Sequence, residues 1–242
     1  LTSTADIGLL QWDDMRPNPP VHEVDLHSVR FGARFGEGYT PFGVTANRRL
    51  ALEGEIAADW LGSDADFSIW RLTWDWQQDT FWTRRWLPNT LDLHLLAGTS
   101  TGDVPPQRHT ALDVAMGPFS PFGAFRSVSG HPYEGSRYAA LFWEHNFRTV
   151  PFEYLGAWGL VRRGMGLILH GASGRTWPTW YDDILERADF SGPPPEPRST
   201  RGWHHEIGFS LTVYGMVRVD VTRRLDRTGW RVGGSLARFD FD

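Results

Sequence analysis

Hydrophobic and polar residues alternate along most of this chain with a period of two. Residues 70–77, for example, read Trp-Arg-Leu-Thr-Trp-Asp-Trp-Gln, and residues 207–214 and 217–222 alternate in the same way. Successive side chains of a β-strand point to opposite faces, so each segment has one apolar and one polar face. The 3.6-residue period of an amphipathic helix is rare. The pattern therefore predicts an all-β protein built from antiparallel strands.

About ten strands are predicted, connected by both tight turns and long segments. Gly215 and residues 226–229 are typical of hairpin turns. Residues 101–135 and 175–203 are rich in Pro, Gly and Ser, show little alternation, and are predicted to be long loops. One short helix is expected within the second loop, at 181–188. The strands are expected near residues 3–12, 22–36, 45–61, 66–82, 89–100, 136–149, 160–174, 204–214, 216–226 and 229–241.

Two architectures produce this alternation. A soluble barrel or sandwich buries its apolar faces, whereas an outer-membrane barrel turns them toward lipid around a polar interior. Strand lengths near ten residues suit a tilted membrane strand. Aromatic girdles at the two membrane surfaces would hold tryptophans at strand ends. The pattern thus favours a transmembrane β-barrel over residues 1–242, with girdle candidates Trp60, Trp70, Trp82, Trp86, Trp177, Trp203 and Trp230.

Composition narrows the class of protein further. The 242 residues include 13 tryptophans and are 14% aromatic, which argues against disorder. The absence of cysteine excludes disulfides and cysteine zinc sites. The longest stretch without a charged residue, 114–125, is too short for a membrane-spanning helix. A net charge of −5 without a basic run argues against a nucleic-acid partner.

The C-terminal part of the chain resembles a known barrel family. Residues 135–147 read Gly-Ser-Arg-Tyr-Ala-Ala-Leu-Phe-Trp-Glu-His-Asn-Phe. This run resembles a strand of a Bacteroidota outer-membrane β-barrel family of unassigned function, in which the barrel usually follows a carboxypeptidase-regulatory-like domain. That family is similar to the wider BamA and TamA superfamily. Further segments resemble the family at 95–98, 102–105, 206–209, 217–220, 223–225 and 232–241.

The resemblance implies a non-enzymatic protein of the bacterial outer membrane, engaged in protein or lipid handling or acting as a scaffold. Its partners would be outer-membrane lipid and other envelope proteins, without a cofactor. Superfamily barrels have about sixteen strands, so the chain is expected to be the C-terminal part of a longer barrel. A self-contained ten-stranded barrel is the alternative. An outer-membrane porin or barrel enzyme and a soluble, Trp-rich carbohydrate-binding β-protein also remain open.

One loop arginine is singled out by the resemblance. The superfamily's long loop carries an Arg-Gly signature that enters the barrel, and the nearest match here is Phe125-Arg126-Ser127. Arg126 is expected to pair in the lumen with Glu144, which faces inward if Leu141, Trp143 and Phe147 face lipid. A solvated loop arginine is the alternative. His170 stands where the superfamily has an acidic residue beside this arginine.

Other charges are expected to line the lumen. Arg71 with Asp75, and Arg218 with Asp220, share predicted inward faces and have opposite charge. They are interpreted as structural lumen charges rather than as a selectivity filter. The closing strand of the family ends on an aromatic residue, which Phe239 and Phe241 match by resemblance.

Four clusters with the residue types of catalytic or metal sites are interpreted as structural. His204 and Glu206 share one face of a strand with His205 opposite, and two ligands make a poor zinc site. His170 and Ser173 lie on opposite faces of a strand, so they do not form a catalytic pair. Asp64 and Asp66, like residues 182–183, are expected to be part of loose acidic loops. The sequence therefore predicts neither catalytic residues nor a metal site.

Overall fold

A computed structural model gives the fold for most of the chain. The residues it describes are 24–38, 47–81, 88–105, 108, 110–116, 119–130, 132–177, 198–214 and 217–236. A 3-10 turn at Asp59–Leu61 is present besides the strands and two short helices. In chain order these are β1 (Ser28–Gly38), β2 (Asn47–Ala57), β3 (Phe67–Asp79), β4 (Thr90–Gly102), β5 (Thr110–Leu112), β6 (Val114–Ala115), β7 (Phe125–Ser129), β8 (Tyr133–Gly135), β9 (Arg137–Arg148), α1 (Val150–Tyr154), α2 (Trp158–Arg162), β10 (Gly166–Trp177), β11 (His204–Val213), β12 (Val217–Arg224) and β13 (Trp230–Leu236).

Nine long strands form a single sheet in the order β1-β2-β3-β4-β9-β10-β11-β12-β13. Every neighbouring pair is antiparallel. The predicted all-β, antiparallel fold is therefore confirmed. Among the described residues, β1 pairs with β2 only. β13 pairs with β12 and makes one further bridge, from Gly234 to Phe119, so no long strand closes the sheet at either edge.

The strand predicted at 160–174 is wrong in its first part. Its residues 160–162 belong to α2, and β10 begins only at Gly166. Gly156 and Gly164 have φ angles of 68° and 61°, a left-handed conformation that ends a helical turn and is incompatible with an extended strand. Other predictions lie outside the described residues: the strand at 3–12, Trp82, Trp86, the turn at Gly215, the helix at 181–188, and Phe239 and Phe241.

The 101–135 segment is more ordered than an irregular loop. It contains β5, β6, β7 and β8, with β5 antiparallel to β8 and β6 parallel to β7. The segment also bonds to the sheet, since the Ser120 amide donates to the Gly234 carbonyl at 3.1 Å. These strands are two to five residues long, too short for a period of two to be visible in the sequence.

The two faces of the sheet differ in an unusual way. We call the face that carries Glu144 the inner face and the face that carries Val219 the outer face. Buried polar side chains occupy the inner face, among them Glu55, Glu144, His170, Glu206, Ser210, Arg218, Asp220 and Thr222. Exposed apolar side chains occupy the outer face, namely Val29, Phe31, Phe35, Leu50, Leu52, Trp70, Leu169, Ile207, Phe209, Val217, Val219, Trp230 and Val232.

The main apolar cluster lies between the 101–135 segment and the inner face of β9 and β10. Phe125 and Leu112 are fully buried there against Phe142 of β9 and Ala172 of β10. A second cluster around Phe67 and Ile69 packs between β3 and the segment's start at Val104. Burying these side chains is what holds the segment against the sheet.

The connections define two ends of the sheet. We call the loop end the one at which β2, β4, β10 and β12 end and β3, β9, β11 and β13 begin, and the opposite end the one that carries α1 and α2. None of the helices among the described residues is long and apolar enough to cross a membrane. Four of the predicted girdle tryptophans are at the loop end, namely Trp60, Trp177, Trp203 and Trp230.

Candidate functional site: the loop–sheet junction

Buried charges join the 101–135 segment to the inner face of the sheet, and we call this region the loop–sheet junction. Glu144 of β9 lies at its centre. Arg218 of β12 binds both oxygens of Glu144, with Nη1–Oε2 and Nη2–Oε1 distances of 2.9 Å. Arg126 of β7 contacts Glu144 Oε1 from the other side. Both arginines are about as buried as core residues, at 4% and 5% exposure.

A second carboxylate completes this network. Asp220 accepts a hydrogen bond from Arg218 Nε at 2.7 Å and from Ser210 Oγ at 2.5 Å. Ser235 Oγ donates to its other oxygen, Oδ2, at 3.1 Å. Arg126 Nη1 lies 3.7 Å from Oδ1, the oxygen that Arg218 and Ser210 bind. Two guanidinium groups therefore face two carboxylates, so the buried charges are balanced and hydrogen-bonded.

The alternation of the strands explains why these groups meet. Register places Glu144 opposite His170 of β10, and Ser210 of β11 opposite Asp220. All these positions lie on the inner face, because side chains two residues apart in a strand point the same way. Each strand from β9 to β12 thus contributes one or two polar groups to a single layer.

Glu206 of β11 anchors the backbone of the segment. Its Oε1 accepts the amide of Arg126 at 2.7 Å, and its Oε2 accepts the amide of Ser127 at 2.9 Å. Ser127 Oγ donates to Oε2 at 2.5 Å, and His204 Nε2 lies 3.1 Å from the same oxygen. The sheet therefore holds both the backbone and the side chains of β7 at residues 126–127.

An aromatic stack lies next to this anchor. The Phe125 ring lies 4.3 Å from the His204 ring and 5.1 Å from Phe142, centroid to centroid. Tyr133 packs edge-on against Phe125, and its hydroxyl lies 3.1 Å from His204 Nδ1. Burial raises the pKa of the Tyr133 phenol, while Arg224 and Arg198 nearby oppose that shift. Arg224 donates to this hydroxyl at 3.2 Å, so the phenol is held between an imidazole and a cation.

Ser127, His204 and Glu206 have the residue types of a catalytic triad but not its geometry. The Ser127 hydroxyl and the Glu206 carboxylate both meet Nε2 of His204, at 3.0 and 3.1 Å. A triad needs the hydroxyl and the carboxylate on opposite ring nitrogens, so that the imidazole carries a proton between them. Here Nδ1 faces Tyr133 instead. The arrangement can fix a loop, but it does not activate the serine.

A small cavity of about 10 Å³ lies beside the network, lined by Arg126, Phe142, Glu144, His170 and Glu206 among others. Within the described part of the chain, His170 Nε2 and Arg126 Nη1 have no hydrogen-bond partner. A volume of this size holds about one water molecule. The junction is thus closed to substrates of ordinary size.

The structure brings together some of the charges that the sequence singles out. Arg126 pairs with Glu144, and Arg218 with Asp220. Arg71 and Asp75 lie apart from the junction, on the inner face of β3, where Arg71 is directly across from Glu53 and Asp75 bonds His94 Nδ1 at 2.5 Å.

The residues of the candidate metal and serine sites lie on different faces of their strands. His204 and Glu206 are buried on the inner face, and His205 lies on the outer face, where it bonds Ser173. Asp64 and Asp66 accept the amides of Asp25 and Asp59, at 3.0 and 2.7 Å. The described residues contain no group of three or more side chains arranged to hold a metal ion.

Sequence reasoning missed Glu206, Ser127, His204 and Tyr133 as parts of the junction. The period of two does place His204 and Glu206 on one face. Their partners, however, lie far away in sequence, 79 residues from Glu206 in the case of Ser127. Nothing in a strand pattern indicates which distant loop a carboxylate binds.

No protein-family model matches the chain, and no curated protein sequence matches it either.

Proposed function

We propose that this chain is part of an outer-membrane β-barrel of the BamA-like superfamily, acting without catalysis in protein or lipid handling or as a scaffold. The observation that carries the proposal is the reversed polarity of the sheet. Its buried face holds Glu144, Arg218 and Asp220, whereas its apolar face is exposed, with Phe35 at 65% and Val232 at 67%.

Free energy favours a lipid environment for such a sheet. Each fully buried Val, Leu, Ile or Phe side chain contributes about 1.5–3 kcal/mol relative to water. Soluble proteins rarely expose a continuous apolar surface as wide as one running from Phe31 on β1 to Val232 on β13. A soluble carbohydrate-binding sheet would turn these residues inward. Lipid-facing apolar residues around a polar interior are the arrangement of a membrane barrel.

The docked 101–135 segment also supports this proposal. The resemblance leads one to expect an arginine of the long loop inside the barrel, paired with a carboxylate of the wall. Arg126 is 4% exposed and contacts Glu144 on the inner face. A segment held in this way would fill the interior beside β9–β12, which favours a plugged scaffold over an open porin.

The proposal makes one structural demand on the rest of the protein. A strand edge in a bilayer leaves backbone groups without hydrogen bonds, which is why membrane sheets close into barrels. The outer edge of β1, and that of β13 apart from its bridge at Gly234, must therefore pair with strands from outside the described residues. Closure by additional strands is expected for a barrel of about sixteen strands.

Cysteine accessibility in native membranes tests the proposal. The chain has no cysteine, so Val219→Cys on the outer face and Arg227→Cys in the β12–β13 turn each create a unique label site. Val219 is 45% exposed in the isolated chain, so water would reach it if the protein were soluble. We expect a water-soluble maleimide to label the turn cysteine readily and the outer-face cysteine only after denaturation.

Equal labelling of both cysteines in the native protein contradicts a lipid-facing surface. Recovery of the wild-type chain in aqueous supernatant without detergent would contradict it as well. Conductance across planar bilayers separates the plugged scaffold from a porin, because a packed 101–135 segment predicts a low and irregular conductance.

A further inference from the structure

The outer face is not apolar throughout. On β9–β12 its loop end carries cationic and imidazole side chains, whereas the middle of the same strands carries Ile207, Phe209 and Val219. Every member belongs to the outer-face set of its strand by alternation. We call this group the cationic row, and it consists of Arg137 on β9, Arg175 on β10, His205 on β11 and Arg223 on β12.

Three members of the cationic row each lie against the ring of a tryptophan. The Arg175 guanidinium lies 4.9 Å from the centroid of the Trp177 ring. Arg223 lies 5.6 Å from the Trp230 ring. The His205 ring stacks on Trp203 at 6.1 Å with an interplanar angle of 13°. Stacking on an indole face holds a cation in place but leaves its N–H donors free for a ligand.

Strand register shows that the row is continuous. Arg137 is directly across from Trp177, and Arg175 is across from Ala139, which places the two arginines on a diagonal between β9 and β10. His205 is across from Ser173. Arg223 is across from Ile207, two residues from His205. Diagonal neighbours lie about 7–8 Å apart, a spacing at which one or two phosphate groups can bridge neighbouring guanidinium groups.

The charge of the row is not neutralised by neighbouring side chains. Among the described residues, the outer face of β9–β13 carries no carboxylate. Arg137, Arg175 and Arg223 form no ion pair within that part of the chain, and Arg175 Nε is buried without a hydrogen-bond partner. The inner-face arginines are different: Arg126 and Arg218 both pair with carboxylates.

We propose that the cationic row and its tryptophans bind the phosphate groups of an anionic membrane lipid at the loop end of the sheet. The inference rests on the proposed membrane location. Guanidinium groups bind phosphate oxygens through two parallel hydrogen bonds, and indoles concentrate at the level of lipid headgroups. Anionic phosphate at this position would neutralise three cations that a hydrocarbon environment would otherwise penalise.

The surroundings of the row favour a lipid over other anionic ligands. Below it, toward the middle of the strands, lie the exposed side chains of Ile207, Phe209 and Val219. A ligand seated on both regions needs an anionic head and apolar chains. Free phosphate fits the head region alone, and a nucleic acid or an acidic peptide has no counterpart for the aliphatic surface.

Lipid selectivity of the whole protein, including the strands that close the barrel, tests the inference. Wild type and the Arg175→Gln/Arg223→Gln double variant are inserted into phosphatidylcholine nanodiscs with or without phosphatidylglycerol. Native mass spectrometry counts retained lipids, and thermal unfolding is followed at matched ionic strength. We expect wild type to retain the anionic lipid preferentially and to unfold at a higher temperature with it. The double variant should bind it about tenfold more weakly, a difference of about 1.4 kcal/mol.

Arg48→Gln is the matched control, because Arg48 is an exposed outer-face arginine at the opposite end of the sheet, on β2. It should keep the lipid preference of wild type. If wild type inserts but retains no more phosphatidylglycerol than the double variant, the lipid-binding inference is wrong and the proposed function is unaffected. Equal stabilisation by inorganic phosphate in detergent overturns it in favour of a free-anion site. Failure of the whole protein, with the strands that close the barrel, to insert in any nanodisc overturns the proposed function as well.

Discussion

The Phe125 ring occupies the space in which a side chain at Gly174 would lie. A Cβ at this β10 position would be 2.8 Å from Phe125 Cζ and 2.9 Å from the Cβ of Ala140. Phe125 is fully buried and precedes Arg126, whose side chain and backbone both bind the sheet. The glycine thus provides the space that lets the 101–135 segment reach the inner face.

Gly174→Ala is therefore expected to displace the segment. Separations below 3.0 Å are not tolerated by packed carbon atoms, and overpacking of this kind costs about 1–3 kcal/mol. The temperature at which the folded form loses its faster electrophoretic mobility should fall. Protease cleavage within 101–135 should become faster.

Two further variants identify the cause of this effect. Gly32→Ala is the control, because a Cβ there meets only ordinary contacts at 3.4 and 3.6 Å. Phe125→Leu combined with Gly174→Ala should recover part of the loss, since residues in contact couple by about 0.5–3 kcal/mol. Additive effects in this cycle would refute a contact between the two positions.

Arg126→Ala is expected to be among the most damaging single changes. It leaves Glu144 and Asp220 with only Arg218 as a cationic partner, in a buried site, and unpairing a buried charge costs about 3–5 kcal/mol. Arg126→Lys keeps the positive charge but loses the guanidinium group that faces both Glu144 and Asp220. It should have a smaller effect than Arg126→Ala. Thermal unfolding and the heat-dependent mobility shift measure both.

Arg34→Ala is the matched control for this prediction. Arg34 pairs with Glu53 at 3.2 Å, but its side chain is 76% exposed, and exposed pairs contribute less than about 1 kcal/mol. If Arg126→Ala and Arg34→Ala have the same heat-dependent mobility shift, the buried Arg126–Glu144 pair does not hold the segment.

Glu206→Gln should weaken the attachment of the 101–135 segment to the sheet. Unlike Arg126→Ala, it leaves the buried arginines in place. The carboxylate accepts the amides of Arg126 and Ser127 on separate oxygens. An amide has a single acceptor oxygen, so one backbone N–H would face an NH₂ group, at a cost of about 1–3 kcal/mol. Hydrogen exchange at 126–127 should accelerate more than exchange in β9. Glu53→Gln, at a half-exposed position, should leave that exchange unchanged.

The pKa of Tyr133 predicts a dependence of stability on alkaline pH. Its folded pKa is raised above the ordinary value of 10.0, chiefly by burial. As the pH rises, the unfolded chain therefore loses this proton before the folded chain does. The contribution of Tyr133 to the free energy of unfolding is complete below pH 10 and is lost as the pH rises through the folded pKa. Tyr133→Phe should show a smaller loss of unfolding temperature above pH 10 than wild type. Parallel pH profiles of the two proteins would contradict this.

The sequence already contains the approximate positions of the nine long strands and the division of each into two faces. Alternation places β9 within one residue of its observed bounds and puts Glu144 on the buried face, because a period of two leaves a side chain only two orientations. The same argument pairs Arg218 with Asp220. It fails at the start of β10, where glycines in the left-handed conformation form helical turns that alternation does not reveal.

Only the tertiary structure decides where the 101–135 segment goes and what receives it. Its strands are too short to show a period, and its partners Glu206 and Asp220 are distant in sequence. Such contacts depend on shape and on the balance of buried charge across several strands, which no local pattern encodes. The alternation alone was equally compatible with apolar side chains inside or outside. The tertiary structure determines which face is buried, because the buried charges and the docked segment together fill the inner face and leave the apolar face exposed.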